Sequence, residues 1–100
     1  MDLHIAGKRV FISGSTQGIG RAVALACAIE GASVVINGRS QARVAEAVDR
    51  LRAEAPGADI SGIAADLADP AQVDALLEAL GEVDILVNNA GATGARQPSR

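Results

Sequence analysis

Gly14, Gly18 and Gly20 punctuate the run Ser13-Gly14-Ser15-Thr16-Gln17-Gly18-Ile19-Gly20, and their spacing suits a backbone shaped to receive a phosphate. Phosphate binding asks for bare N–H groups more than for particular side chains. The first turn of a helix supplies them, with the positive end of the helix dipole behind. Gly14 lets the chain turn sharply out of a strand, Gly18 lets the backbone approach a pyrophosphate, and Gly20 lets the following helix lie close to the sheet. The apolar run Val10-Phe11-Ile12 leads in, and an amphipathic helical pattern leads out. That is the grammar of a dinucleotide-binding turn, with an ordinary strand-turn-helix corner as the plain alternative. Three further stretches carry polar residues where strands should end: Asn37-Gly38-Arg39-Ser40, Asp66-Leu67-Ala68 and Asn88-Asn89-Ala90-Gly91. His4 reads as a surface residue, and Cys27 as a small hydrophobe, since no base stands near it in sequence.

The elements that must position these residues follow from periodicity. A first strand is expected over about 8–13 and a helix over about 18–30, with Ile19, Val23, Ala26 and Cys27 on its inner face and Gly31 as its stop. Ser33-Val34-Val35-Ile36 reads as a strand buried on both faces. Ser40 should cap a helix reaching about residue 55, with Val44, Ala47, Val48, Leu51 and Ala55 inward and Glu46/Arg50 and Arg50/Glu54 as solvated pairs. Pro56-Gly57 ends it. A weaker strand over 59–65 precedes Asp69-Pro70-Ala71-Gln72, where an N-cap, a proline at N1 and a capping-box glutamine coincide. Val73, Leu76, Leu77 and Leu80 are that helix's expected inner stripe, and Gly81 its stop. Residues 83–87 form the last strand, and residues 92–100 read as loop or frayed end. The β-α-β-α-β-α-β order predicts an α/β fold: a partial Rossmann fold with a four-stranded parallel sheet of order 3-2-1-4 and three helices on two faces. A ligand would bind at the carboxyl ends of the strands, where every unusual stretch falls.

The hundred residues fit one domain, with a core built from Ala, Val, Ile and Leu because Phe11 is the sole aromatic residue. A net charge of −3 with interspersed signs argues against nucleic acid as partner. The apolar runs fall well short of the roughly 18 residues a membrane span needs, and Met1-Asp2-Leu3-His4 does not resemble a signal peptide. A single cysteine excludes an internal disulfide and points to the cytoplasm.

Over residues 5–91 the sequence resembles the short-chain dehydrogenase/reductase family, specifically its N-terminal cofactor-binding half. SGSTQGIG is similar to the family's TGxxxGIG turn with Ser13 in place of Thr, AADLAD resembles its third-strand motif, and VDILVNNAG its fourth-strand signature. The GxxxGxG spacing matches the branch that includes the 3-oxoacyl-acyl-carrier-protein reductases, not the GxxGxxG of the extended branch. The resemblance implies a nicotinamide dinucleotide as ligand. Gly14, Ser15, Thr16, Gly18, Ile19 and Gly20 would lie around its pyrophosphate and nicotinamide ribose. Asp66 would bond the adenine amino group, with the Leu67 backbone beside it, and Asn88, Ala90 and Gly91 would line the ribose and nicotinamide end. Where NAD-using relatives carry an aspartate this sequence has Gly38, and Arg39 follows, able to fork two N–H bonds onto a phosphate. NADP is therefore expected, with NAD as the alternative, although Gln17 stands where many NADP users have a base.

The family's chemistry is hydride transfer between nicotinamide and a small carbonyl or alcohol substrate, run by Ser, Tyr and Lys with a further Asn. This sequence has no Tyr and a single Lys, Lys8, away from the site, so no catalytic residue is assigned and no metal site is expected. The whole chain, residues 1–100, is expected to be the NADP-binding half of a longer, homo-oligomeric enzyme and inactive by itself. A non-catalytic NADP(H)-binding module or a truncated product is the alternative; a methyltransferase of similar topology lacks the paired glycine and NNAG motifs.

Overall fold

The computed structural model describes residues 4–89. Strand β1 (Arg9–Ile12) is followed by α1 (Gly18–Ile29), β2 (Ser33–Gly38), α2 (Gln41–Glu54), β3 (Ile60–Ala64), α3 (Pro70–Leu80) and β4 (Ile85–Val87). The four strands form one parallel sheet in the order β3-β2-β1-β4, as the alternation of elements predicts. Phe11 is in register with Val35 on one side and Leu86 on the other, and Ile12 with Ile36 and Val87.

Because side chains alternate across a strand, each strand divides its residues between two faces. Val10, Ile12, Val34, Ile36 and Ile60 point to one face, where α1 and α2 cover them with Ala24, Cys27, Ala28, Val44, Ala47, Val48 and Leu51. Phe11 and Val35 point to the other, beneath Leu76 and Leu80 of α3. Each large side chain so enclosed contributes about 1.5–3 kcal/mol.

Caps and stops fall where the sequence puts them, with one exception. Ser40 accepts from the Arg43 N–H at 3.2 Å and Asp69 from the Ala71 N–H at 3.0 Å. Gly31 and Gly81 end α1 and α3 at positive φ, 93° and 69°, where a Cβ would be strained. Gln72 does not close a capping box: its Oε1 accepts from the Asp66 N–H at 2.8 Å, while the Asp69 N–H donates to the Asp66 carbonyl. The glutamine thus fastens the β3–α3 loop to the helix.

Two inner stripes also differ from expectation. On α1 the buried residues are Gly20, Ala24, Cys27 and Ala28, whereas Ile19 and Ala26 face outward. On α3 Leu76 and Leu80 are buried, Val73 is half-buried and Leu77 is exposed. The strand limits shift as well. β2 continues through Asn37 and Gly38, and β4 starts only at Ile85; just ahead of it the Asp84 carboxylate accepts from the Arg9 N–H of β1 at 2.8 Å, a side chain where a strand would offer a carbonyl. Glu54 pairs with Arg21 of α1 at 2.8 Å rather than with Arg50.

Candidate functional site

All four strands end on one side, and there the loops surround a cleft of about 680 Å³. Its walls include Gly14, Thr16 and Gln17 from the glycine turn, Gly38 and Arg39 from the end of β2, Asp66 and Leu67 after β3, and Asn88 and Asn89 after β4. Stretches dispersed over the chain thus meet at one place.

The turn is held from within by buried polar side chains. Ser15 is fully buried: its hydroxyl donates to the Ile12 carbonyl at 2.6 Å and accepts from the Asn37 N–H at 2.9 Å, and its own N–H donates to the Asn37 carbonyl at 2.7 Å. Asn37 is 2% exposed and accepts from the Gly14 N–H at 3.2 Å, while its amide nitrogen donates to the Ile63 carbonyl at 3.1 Å. Buried polar groups require such partners, and breaking one side leaves the other orphaned. The pair therefore locks the glycine turn to β2 and β3. Ser15, expected beside the ligand, has these donors committed inside the protein and acts on the cleft by fixing the turn's path.

On the other flank, the Ser13 hydroxyl accepts from the Asn89 N–H at 2.9 Å and donates to the Asn88 side chain at 3.3 Å. Asn89 in turn donates through Nδ2 to the Gly14 carbonyl at 2.9 Å. A Cβ on Gly20 would stand 2.6 Å from that carbonyl and 2.7 Å from the Asn89 amide, so only glycine fits there. Neither Asn37 nor Asn89 stands out as a site residue in the sequence. The available signal for Asn37 was a polar residue continuing a buried strand, which must find partners wherever it lies.

The first turn of α1 differs from those of the other helices. Its N-cap, Gln17, makes no side-chain cap, whereas Ser40 and Asp69 cap α2 and α3. The N–H groups of Gly18, Ile19 and Gly20 lie in that uncapped turn, where the helix dipole favours an anion. Gly18 has φ 65°, with open space around the position of a Cβ, so the backbone is bare. Ile19 is 76% exposed beside it. Arg39 is exposed at the cleft rim, and no carboxylate stands at the end of β2. Asp66 uses one carboxylate oxygen to accept from the Ala68 N–H at 3.0 Å, which orders its loop. Ala90 and Gly91 lie outside the described residues. Burial pushes the Cys27 thiol above its ordinary pKa, in keeping with its place in the core. Among the described residues no cluster of metal-ligating side chains occurs, and no helix is long and apolar enough to cross a membrane.

A parallel sheet with a glycine turn, an uncapped helix and a cleft at its carboxyl ends defines the nucleotide-binding α/β class. Within that class the chain belongs to the short-chain dehydrogenase family, whose model matches residues 8–100. It is 43% identical over 91 residues to the uncharacterized oxidoreductase YvaG of Bacillus subtilis, covering 91% of this chain and 34% of that protein. It is 42% identical over 90 residues to the L-xylulose reductase of Mesocricetus auratus, covering 90% and 34%. The crystal structure of L-sorbose reductase from Gluconobacter frateurii, complexed with NADPH and L-sorbose, superposes with a TM-score of 0.82 at 43% identity over 91% of this chain and 36% of that one. The chain thus spans about a third of the length of these relatives.

Proposed function

We propose that the chain is the NADP(H)-binding portion of an oxidoreductase that moves hydride between nicotinamide and a small carbonyl or alcohol. The observation that carries this reading is the uncapped first turn of α1 with its bare Gly18 backbone, directly following Gly14, Thr16 and Gln17 on the wall of a cleft large enough for a dinucleotide. The charge of the cleft suits that cofactor: Arg39 lies on its wall and offers a cation for a 2′-phosphate. NADPH in the complexed sorbose reductase supports the same assignment.

In this reading the N–H groups of Gly18, Ile19 and Gly20 hold the pyrophosphate. The free side of the Asp66 carboxylate accepts from the adenine amino group, and the Leu67 backbone lies alongside. Arg39 meets the 2′-phosphate, and Gly14 and Thr16 lie beside the pyrophosphate. Asn88, with Ala90 and Gly91, takes the ribose and nicotinamide end, and Ile19 gives the nicotinamide an apolar wall. Bound there, the nicotinamide supplies or accepts the hydride. Ser13, Ser15, Asn37 and Asn89 keep the turn in the shape that this binding requires. The acid/base groups would come from outside these hundred residues, which contain no tyrosine and only Lys8, ahead of β1 and remote from the cleft. The oligomeric assembly, the substrate and a cytoplasmic setting belong to the same proposal.

Titration of the purified chain with NADPH and NADH tests the assignment. NADPH should bind more tightly, and Arg39→Ala should weaken it by about tenfold or more, since hydrogen bonds to charged groups contribute roughly 1.5–3 kcal/mol. NADH affinity should change little. An Arg39→Ala chain that keeps its full NADPH affinity would overturn the role of that residue.

A further inference from the structure

We infer that Asn37 is a positioning residue for the adenine side of the cleft, its buried carboxamide tying the root of the Asp66 loop to the glycine turn. This deepens the NADP(H) reading above and rests on it for the ligand that Asp66 meets. The Asn37 side chain is 2% exposed and reaches both parts of the site. Its Oδ1 accepts from the Gly14 N–H at 3.2 Å, while Nδ2 donates to the Ile63 carbonyl at 3.1 Å and to the Ala65 carbonyl at 3.4 Å. Those partners fix its orientation, because only an oxygen can face the N–H and only the NH2 group the two carbonyls.

β3 ends at Ala64, and Ala65, which is buried, leads directly into Asp66. The Ala65 carbonyl that Asn37 holds and the Asp66 N–H that Gln72 holds belong to one peptide unit. That unit is therefore fastened at both ends, and the direction in which Asp66 leaves it is set. The turn depends less on the same side chain, since Ser15 also binds the Asn37 main chain through its own N–H and its hydroxyl. The NH2 group of Asn37 thus serves the Asp66 loop, and its oxygen serves the turn.

Asn37→Asp separates the two ends. It keeps an oxygen for the Gly14 N–H, but when ionised it turns a second oxygen toward two carbonyls, and only protonation restores a donor. Burial raises the pKa of such a carboxyl. Arg39 and Asp66 are the charged groups on its cleft, the glycine turn carries none, and Asp69 at the head of α3 is committed to the Ala71 N–H and to Gln72. Relative to the parent at the same pH, the variant should bind adenosine 2′,5′-bisphosphate about tenfold more weakly at about pH 8.5 and within about threefold at about pH 5.5. Inorganic pyrophosphate should bind within about threefold of the parent at both. Asp66→Ala should cost about tenfold in the parent and nothing further in the variant at the higher pH.

A pH-independent ratio, an equal loss of pyrophosphate, or additive losses would overturn the role of Asn37. A variant that stays unfolded at both pH values would do the same, since the protonated side chain restores the bond. Hydrogen exchange of the ligand-free chain separates this inference from the cofactor reading. At the higher pH the Asp66 and Ala68 amides should exchange about fivefold faster in Asn37→Asp than in the parent, with the Arg43 amide of α2 unchanged. Equal exchange at Asp66 and Ala68 would overturn the inference. A parent that binds neither probe, with the exchange difference intact, would sink the NADP(H) reading and leave the tether standing.

Discussion

The two faces of the sheet are built from the same strands yet enclosed to different degrees. On the α1/α2 side two helices lie across β1, β2 and β3, and a continuous cluster runs from Val10 to Leu51 and Ile60. On the α3 side only Phe11, Val35, Ala65, Leu76 and Leu80 are buried together. Leu86 sits beside Phe11 in register but is 68% exposed, whereas Phe11 is 3% exposed. Leu77 of α3 is 59% exposed as well. Neighbouring apolar residues thus have opposite fates, decided by whether a helix lies above them. Burial here is a property of the layer and not of the residue type.

The largest expected effect falls on the closed face. Leu51 is completely buried between α2 and the sheet, so Leu51→Ala should cost about 2–5 kcal/mol in urea unfolding. A loss under 1 kcal/mol would mean that this face is not as tightly packed as its contacts imply. Cys27, on the same face, gives a smaller and pH-dependent effect. Burial raises its pKa in the folded chain, so at a pH above about 8.5 the unfolded chain releases a proton that the folded chain retains. Stability from this group is therefore full below that range and declines as pH rises through it. Comparing the parent with Cys27→Ala between pH 7 and 10 should show a steeper decline in the parent, and parallel curves would refute it.

The same contrast explains what was legible in the sequence. The inner stripe of α2 reads correctly because Val44, Val48 and Leu51 are the large apolar residues of an otherwise charged helix. In α1 the large residues mislead: Ile19 lies outside, and Gly20, Ala24 and Ala28 lie inside. That helix approaches the turn so closely at Gly20 that a Cβ would collide with the Gly14 carbonyl, so small residues mark its packed side. In α3 the four apolar positions exceed what one thin layer can cover, which leaves Leu77 in water. The strand order, the caps and the convergence of the glycine turn with Arg39, Asp66 and Asn88 follow from local patterns. The Ser15–Asn37 and Asn89–Gly14 bonds were not legible, because they join residues about 22 and 75 positions apart whose partners are backbone groups. Only the fold brings those together.

The smallest expected effect lies on the open face and is the most direct check of the comparison. Leu86→Thr replaces an exposed leucine by a β-branched residue that keeps the strand preference of β4. It removes little buried apolar surface, so the unfolding free energy of the chain should change by no more than about 0.5 kcal/mol. The main-chain pairing of β4 with β1 is untouched, since Val10, Phe11 and Ile12 remain opposite Ile85, position 86 and Val87. A loss above about 2 kcal/mol would show that Leu86 is covered in solution and that the two faces are more alike than they look. A negligible loss at Leu86 alongside a large one at Leu51 would place the stability of the chain on the α1/α2 layer, the same layer that holds the glycine turn and its uncapped helix against the sheet.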